Sequence, residues 1–115
     1  PCSGLGTLRR NPDLKWRQTA ESVAELTVKQ AAMLQAASVL VKKGGRLVYA
    51  TCSLLNAEND AVVSAFLAAN PEFVALSAEE VLARQDISLA CGERLRLLPH
   101  SHGTDGFFAA VMERR

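Results

Sequence analysis

Arg46-Leu47-Val48-Tyr49-Ala50-Thr51-Cys52-Ser53 decides how this chain is read. Its first five residues form a short, largely apolar run. A long stretch with helical apolar spacing precedes it and ends in Lys42-Lys43-Gly44-Gly45, and a second such stretch begins near Asn56. A short apolar run between two helices is the pattern of a parallel strand covered on both faces in an open α/β sheet. Thr51-Cys52-Ser53 then falls just past the carboxyl end of that strand. Open α/β sheets place ligands and reacting groups at that end.

Upstream, the spacing predicts a helix over 20–43. Val23, Leu26, Met33, Ala37 and Leu40 fall near one stripe, which Ala31, Leu34 and Val41 widen. The two lysines suit the negative pole of this helix, and the glycine pair supplies its stop. Downstream, Asn56 is placed to cap a helix over 57–69, with Val62, Val63, Phe66 and Leu67 facing the core and Asn70-Pro71 closing it. Phe73-Val74-Ala75-Leu76 reads as the next strand, and Ser77-Ala78-Glu79-Glu80 fits a capping box opening a short helix toward Arg84. Two extended runs, 95–98 and 107–112, are joined by a Gly- and Asp-containing linker with hairpin chemistry.

Helix, strand, helix, strand and hairpin make the second half of an open α/β sheet, in one unit over 1–115. Residues 1–13, with Gly4, Gly6, Asn11 and Pro12, read as a loop that would leave a strand of the first half. The strand from Arg46 is then expected to carry an unpaired edge, which isolated domains avoid, so the chain alone is expected to fold poorly.

A chain of 115 residues supports one small domain with a limited core. With 49% hydrophobic and 22% charged residues it reads as soluble and globular, not disordered. No run reaches the roughly 20 apolar residues that crossing a bilayer needs, and no signal peptide opens the chain. The net charge of +1 does not by itself announce a nucleic acid, but Arg9, Arg10, Lys15 and Arg17 crowd the beginning. They read either as a solvated basic loop or as contacts to RNA phosphates. Trp16 among them would stack on a base or anchor the loop to the core.

The three cysteines, Cys2, Cys52 and Cys91, are far apart and odd in number. That argues against a disulfide framework and for a reducing, cytoplasmic setting, and without a Cys-x-x-Cys pair no metal site is expected. Cys2, like Cys52, sits where a strand would end, so two sheet neighbours could aim two thiols into one cleft. The ordinary alternative is that each fills space, since free cysteine is among the most buried residue types. Cys91 has no flanking pattern and keeps that ordinary reading.

Pro1-Cys2-Ser3-Gly4-Leu5-Gly6, continuing to Asp13, is the first of three ordered motifs. Val48-Tyr49-Ala50-Thr51-Cys52-Ser53 with Glu58-Asn59 is the second. Leu98-Pro99-His100 through His102-Gly103-Thr104-Asp105-Gly106-Phe107-Phe108 is the third. Together they resemble the Pro-Cys, Thr-Cys-Ser and C-terminal motifs of the Nop/Sun RNA (cytosine-5-)-methyltransferases.

The resemblance implies the C-terminal half of a Rossmann-like, class I S-adenosylmethionine-dependent methyltransferase fold. It implies methylation of cytosine carbon 5 in RNA, with 16S ribosomal RNA as partner and S-adenosyl-L-methionine as methyl donor. It assigns nucleophilic attack to Cys52 and product release, or the base, to Cys2. Pro1, Arg9, Arg10, Thr51, Ser53, His102 and Asp105 are the expected substrate contacts. The start of the helix after Cys52 is one expected aid to thiolate formation.

DNA cytosine methyltransferases use the Pro-Cys cysteine instead, which makes Cys2 the competing nucleophile; the Thr-Cys-Ser motif and the Asp105-Gly106-Phe107-Phe108 ending favour Cys52. The family pattern also has an Asp ahead of Pro1, outside these residues. No Gly-x-Gly-x-x-Gly loop or ribose-binding acid occurs here, so the donor is expected to bind through the other half and the chain alone to be inactive. A non-catalytic RNA-binding segment and a thiol redox domain are the alternatives from other classes.

Overall fold

The computed structural model describes residues 2–8, 10–13, 16, 18–87, 92–97 and 105–115. Among these residues four strands form one sheet: β1 (Arg46–Thr51), β2 (Phe73–Leu76), β3 (Leu95–Leu97) and β4 (Phe107–Arg114). Three α-helices that lie wholly within the described residues accompany it: α1 (Ala20–Ser38), α2 (Asp60–Ala69) and α3 (Ala78–Ala83). The last strand of the chain is the spine of the sheet. β4 pairs antiparallel with β1 along one edge, from Arg46↔Glu113 to Thr51↔Phe108. Its other edge takes β2 at one end, through Leu76↔Val111, and β3 at the other, through Leu97↔Phe107. The hairpin expected at the C-terminus is therefore present as β3–β4.

β1 and β2 run in the same direction but are separated by β4. β1 thus differs from the expected parallel strand covered on both faces. Its described pairing is antiparallel, and its residues alternate exposed and buried. Leu47, Tyr49 and Thr51 are buried, whereas Arg46, Val48 and Ala50 are open, because α1 and α2 cover one face only. The other long edge of β1 has no strand against it among the described residues. A groove of about 200 Å³ runs there, between Met33 and Ala37 of α1 and Val48 and Ala50 of β1. β4, by contrast, is buried on both faces from Phe108 to Met112.

The core lies between the sheet and the two longer helices. Leu34 of α1 and Val62, Val63 and Phe66 of α2 meet Leu47, Tyr49, Phe108, Ala110 and Met112 of the sheet. Burying each Leu, Val, Phe or Met side chain among them contributes about 1.5–3 kcal/mol. Phe66 stacks at a tilt on Phe73, with ring centroids 5.2 Å apart. No described helix is long and apolar enough to cross a membrane.

Helix α1 starts where expected, with Thr19 as its cap. Ser22 N–H donates to Thr19 Oγ1 at 3.0 Å, and Thr19 N–H donates to Ser22 Oγ at 2.8 Å. It ends at Ser38, short of the expected Lys43. Leu40 and Val41 N–H groups bond three residues back instead, to Ala37 and Ser38, tightening the last turn. The chain must then reverse into β1, and Gly44, at φ 79°, lets its N–H reach Arg114 O at 2.6 Å. The buried stripe is also rotated: Gln30, Leu34 and Ser38 face inward, whereas Met33 and Leu40 are exposed. The helix expected from Ala57 opens as a 3-10 turn, Asn56–Glu58, and becomes α-helical only at Asp60. Asn59 sits at φ −111°, ψ −96°, outside the helical region, because both Glu58 and Asn59 are turned inward to bond with the loop after β1.

Candidate active site: two cysteine loops on one buried carboxylate

Strand pleating decides where Cys52 points. Tyr49 and Thr51 face the covered side of β1, so Cys52 faces out and is exposed, while Ser53 turns back in and is 1% exposed. The loop that follows is held from below by Asn59. Its side-chain amide donates to Ser53 O at 2.9 Å, and its Oδ1 accepts from Thr51 Oγ1. Thr51 and Ser53 were expected to touch substrate; their side chains are instead buried and committed to Asn59 and Glu58.

Cys2 is half-buried on a loop that crosses this one. Gly4 takes a left-handed conformation, φ 73°, and opens a 3-10 turn over Leu5–Thr7. This turn presses Gly6 against the Cys52 loop: Gly6 N–H donates to Cys52 O at 2.8 Å. On its other side, Gly106 N–H donates to Gly6 O at 2.7 Å, just ahead of β4. A Cβ on Gly6 would lie 2.5 Å from Gly106 O and 2.7 Å from Cys52 O, so only glycine fits. Three segments distant in sequence, each from one of the motifs, thus meet backbone to backbone. Arg10 and Asp105 latch the same junction from outside through an ion pair at 2.6 Å.

Beneath both loops lies Glu58, fully buried. Its Oε1 accepts from Ser3 N–H at 2.7 Å and from Gln30 Nε2 at 3.2 Å; its Oε2 accepts from Ser3 Oγ at 2.6 Å and from Ser53 Oγ. Burial pushes this carboxyl up, but the Ser3 and Ser53 hydroxyls, Ser3 N–H and Gln30 together hold it below its ordinary value. The Tyr49 hydroxyl donates to the backbone carbonyl of Glu58 at 2.6 Å. Burial, with the Glu58 carboxylate and Cys2 adding, pushes the Tyr49 phenol up to about 12.

A second charged cluster braces the hairpin to α2. Asp60 accepts from Arg94 Nη1 at 2.5 Å and from both terminal nitrogens of Arg96 at 2.7 and 2.8 Å. The hydrogen bond from Arg96 and then Arg94 hold its carboxyl below the usual range despite burial. Arg96 also lies over the Phe108 ring, 5.2 Å from its centroid.

Of the residues singled out in the sequence, Cys2, Cys52, Thr51, Ser53, Arg10 and Asp105 are brought together at this end of the sheet. Trp16 is 79% exposed and does not anchor its loop in the core. Pro1, Arg9, Lys15, Arg17, Cys91, His100 and His102 lie outside the described residues. Sequence reasoning missed the roles of Gly6, Gly106 and the Asp60–Arg96 pair. It noted Glu58-Asn59 only as part of a motif; an acidic residue six positions after a strand-end cysteine carries no signal that it will be buried.

Sheet order and hairpin, shared with the solved structures below, define the class: a Rossmann-like class I methyltransferase fold. The chain belongs to the family described as 16S rRNA methyltransferase RsmB/F, whose pattern matches residues 1–113. It is 45% identical over 114 residues to a probable ribosomal RNA small subunit methyltransferase B of Synechocystis, with 99% of this chain and 26% of that protein covered. A Bacillus subtilis protein of the same description is 42% identical, over 100% of this chain and 26% of its own length. The chain therefore spans about a quarter of the length of the curated relatives it matches. Among solved structures, that of PH0851 matches with a TM-score of 0.86 and 36% identity, over 99% of this chain and 25% of that one. NSun6 of Pyrococcus horikoshii, solved with SFG, matches with a TM-score of 0.77 and 28% identity, over 99% and 28%.

Proposed function

We propose that the protein carrying this segment methylates carbon 5 of a cytosine in ribosomal RNA of the small subunit, with Cys52 as nucleophile. The crossing of the two cysteine loops carries the reading: Gly6 N–H bonds Cys52 O, with Cys52 exposed on one loop and Cys2 half-buried on the other. Carbon 5 of cytosine is too weak a nucleophile to take a methyl group unaided. The Cys52 thiolate adds to carbon 6, forming an Sγ–C6 bond and moving the C5–C6 electron pair onto carbon 5. That carbon takes the methyl group. A base then removes its proton, the double bond re-forms and the Sγ–C6 bond breaks, returning the thiolate. Cys2 is assigned to this release. S-adenosylmethionine supplies an activated methyl on a sulfonium; a relative was solved with SFG, an analogue of it, which supports this donor. The described residues include no glycine-rich loop for it, so none is assigned to hold it.

Thr51 and Ser53 act here by fixing the Cys52 loop. Arg10 is largely exposed, and its guanidinium has five donors, so pairing with Asp105 leaves others for an RNA phosphate. Pro1, Arg9 and His102 complete the proposed substrate surface. The free thiols of Cys2 and Cys52 suit a cytoplasmic setting. The test is transfer of labelled methyl from S-adenosylmethionine to small-subunit ribosomal RNA by a full-length protein carrying this segment. Label in 5-methylcytosine is the expected result; label in another base, or a folded protein that binds RNA without transfer, contradicts it.

A further inference from the structure

The two cysteine loops share a pattern: Cys2-Ser3-Gly4-Leu5 and Cys52-Ser53-Leu54-Leu55 both read Cys-Ser-x-Leu. Their geometry repeats as well. Each serine hydroxyl donates to Glu58 Oε2, and each serine oxygen accepts from the leucine N–H two residues on, at 3.3 Å from Leu5 and 3.1 Å from Leu55. Each loop is thus a small side-chain-closed turn immediately after its cysteine, and the two turns share one acceptor atom.

A buried carboxylate is costly unless a cation or a full set of hydrogen bonds compensates it. Among the described residues no cation pairs with Glu58; four hydrogen bonds from neutral donors do the compensating. Holding the loops together would not need a charge, since an apolar side chain could fill the space. An ionised carboxylate is, however, acceptor-only. It therefore dictates the direction of both hydroxyl hydrogens, and so the lone pairs left for the two leucine N–H groups.

We propose that Glu58 is a positioning residue that closes both Cys-Ser-x-Leu turns and so sets the Cys2 and Cys52 thiols in one fixed relation. The inference rests on the two-cysteine reading above. It divides the labour between the serines. Ser53 orients the attacking thiol and Ser3 the releasing one, so their loss affects different steps.

The experiment follows the covalent RNA–protein complex of the full-length protein on denaturing gels, with Glu58→Gln, Ser3→Ala and Ser53→Ala variants. A displaced reacting group costs on the order of tenfold to a hundredfold in rate. Ser53→Ala should slow complex formation by that factor and leave its breakdown unchanged. Ser3→Ala should form the complex normally, resolve it slowly and accumulate it. Glu58→Gln should slow both steps with KM for S-adenosylmethionine unchanged. Equal slowing of both steps by either serine variant, or wild-type rates in Glu58→Gln, overturns the proposal. Should Glu58→Gln not fold, the opposite signatures of the serine variants decide it. A full-length protein that forms no complex even as Cys2→Ala sinks the two-cysteine reading and this inference together, whereas an active parent with silent variants sinks this inference alone.

Discussion

Tyr49 shows how one residue links the core to the site. Its ring packs edge-on to Phe108, 6.4 Å between centroids, while its hydroxyl reaches the Glu58 carbonyl. Tyr49→Phe keeps the ring and leaves that buried carbonyl without its donor, so it should cost about 1–3 kcal/mol of stability in a denaturant titration. The phenol gives a second readout, because Tyr49 is the only tyrosine. Its raised value of about 12 means the fold favours the neutral form. The corresponding stability is fully present below the ordinary value of about 10 and is lost as pH rises toward the folded one. Tyrosinate absorbance in the 115-residue chain should therefore appear only near pH 12, together with unfolding. Ionisation near pH 10 by a still-folded chain would show the hydroxyl to be in water.

Between elements, the decisive contacts join segments far apart in sequence. Gly6 has no room for a side chain between Cys52 and Gly106. Gly6→Ala should cost about 1–3 kcal/mol by forcing backbone apart, and should raise the alkylation rate of Cys2 as its loop lifts. Unchanged stability and reactivity would mean the loops are not in contact. At the hairpin, Arg96 and Arg94 depress the Asp60 carboxyl. A depressed acid stabilises above its ordinary value and loses that contribution as pH falls through the folded one. Asp60→Asn should thus cost up to about 1 kcal/mol at neutral pH and progressively less below about pH 4. A difference independent of pH would exclude the ion pair as its cause.

The same contacts explain what was legible beforehand. β1, α2, β2 and the hairpin announce themselves locally, as apolar runs bounded by Asn, Pro and Gly, and each lies within a residue or a few of its expected position. The position of Cys52 at the carboxyl end of β1 was legible for the same reason. The placement of β4 between β1 and β2 was not, since strand order depends on long-range pairing that no local pattern encodes. Nor was the inward turn of Glu58 and Asn59, which displaced the start of α2; its cause, the bonds to Ser3, Ser53 and Thr51, exists only once the sheet has formed.

At the scale of the whole molecule, a sheet whose β1 has no strand on its outer edge among the described residues, and one open face, presents two thiol loops at a single end, over a shared carboxylate. Both cysteines stand in that site, so the account turns on which of them bonds to the base. The direct measurement is covalent trapping of RNA by full-length Cys2→Ala and Cys52→Ala proteins with S-adenosylmethionine present. Attack by Cys52 predicts that Cys2→Ala holds methylated RNA through denaturing electrophoresis, while Cys52→Ala holds none. Trapping on Cys52→Ala, with none on Cys2→Ala, would contradict the account and make Cys2 the nucleophile.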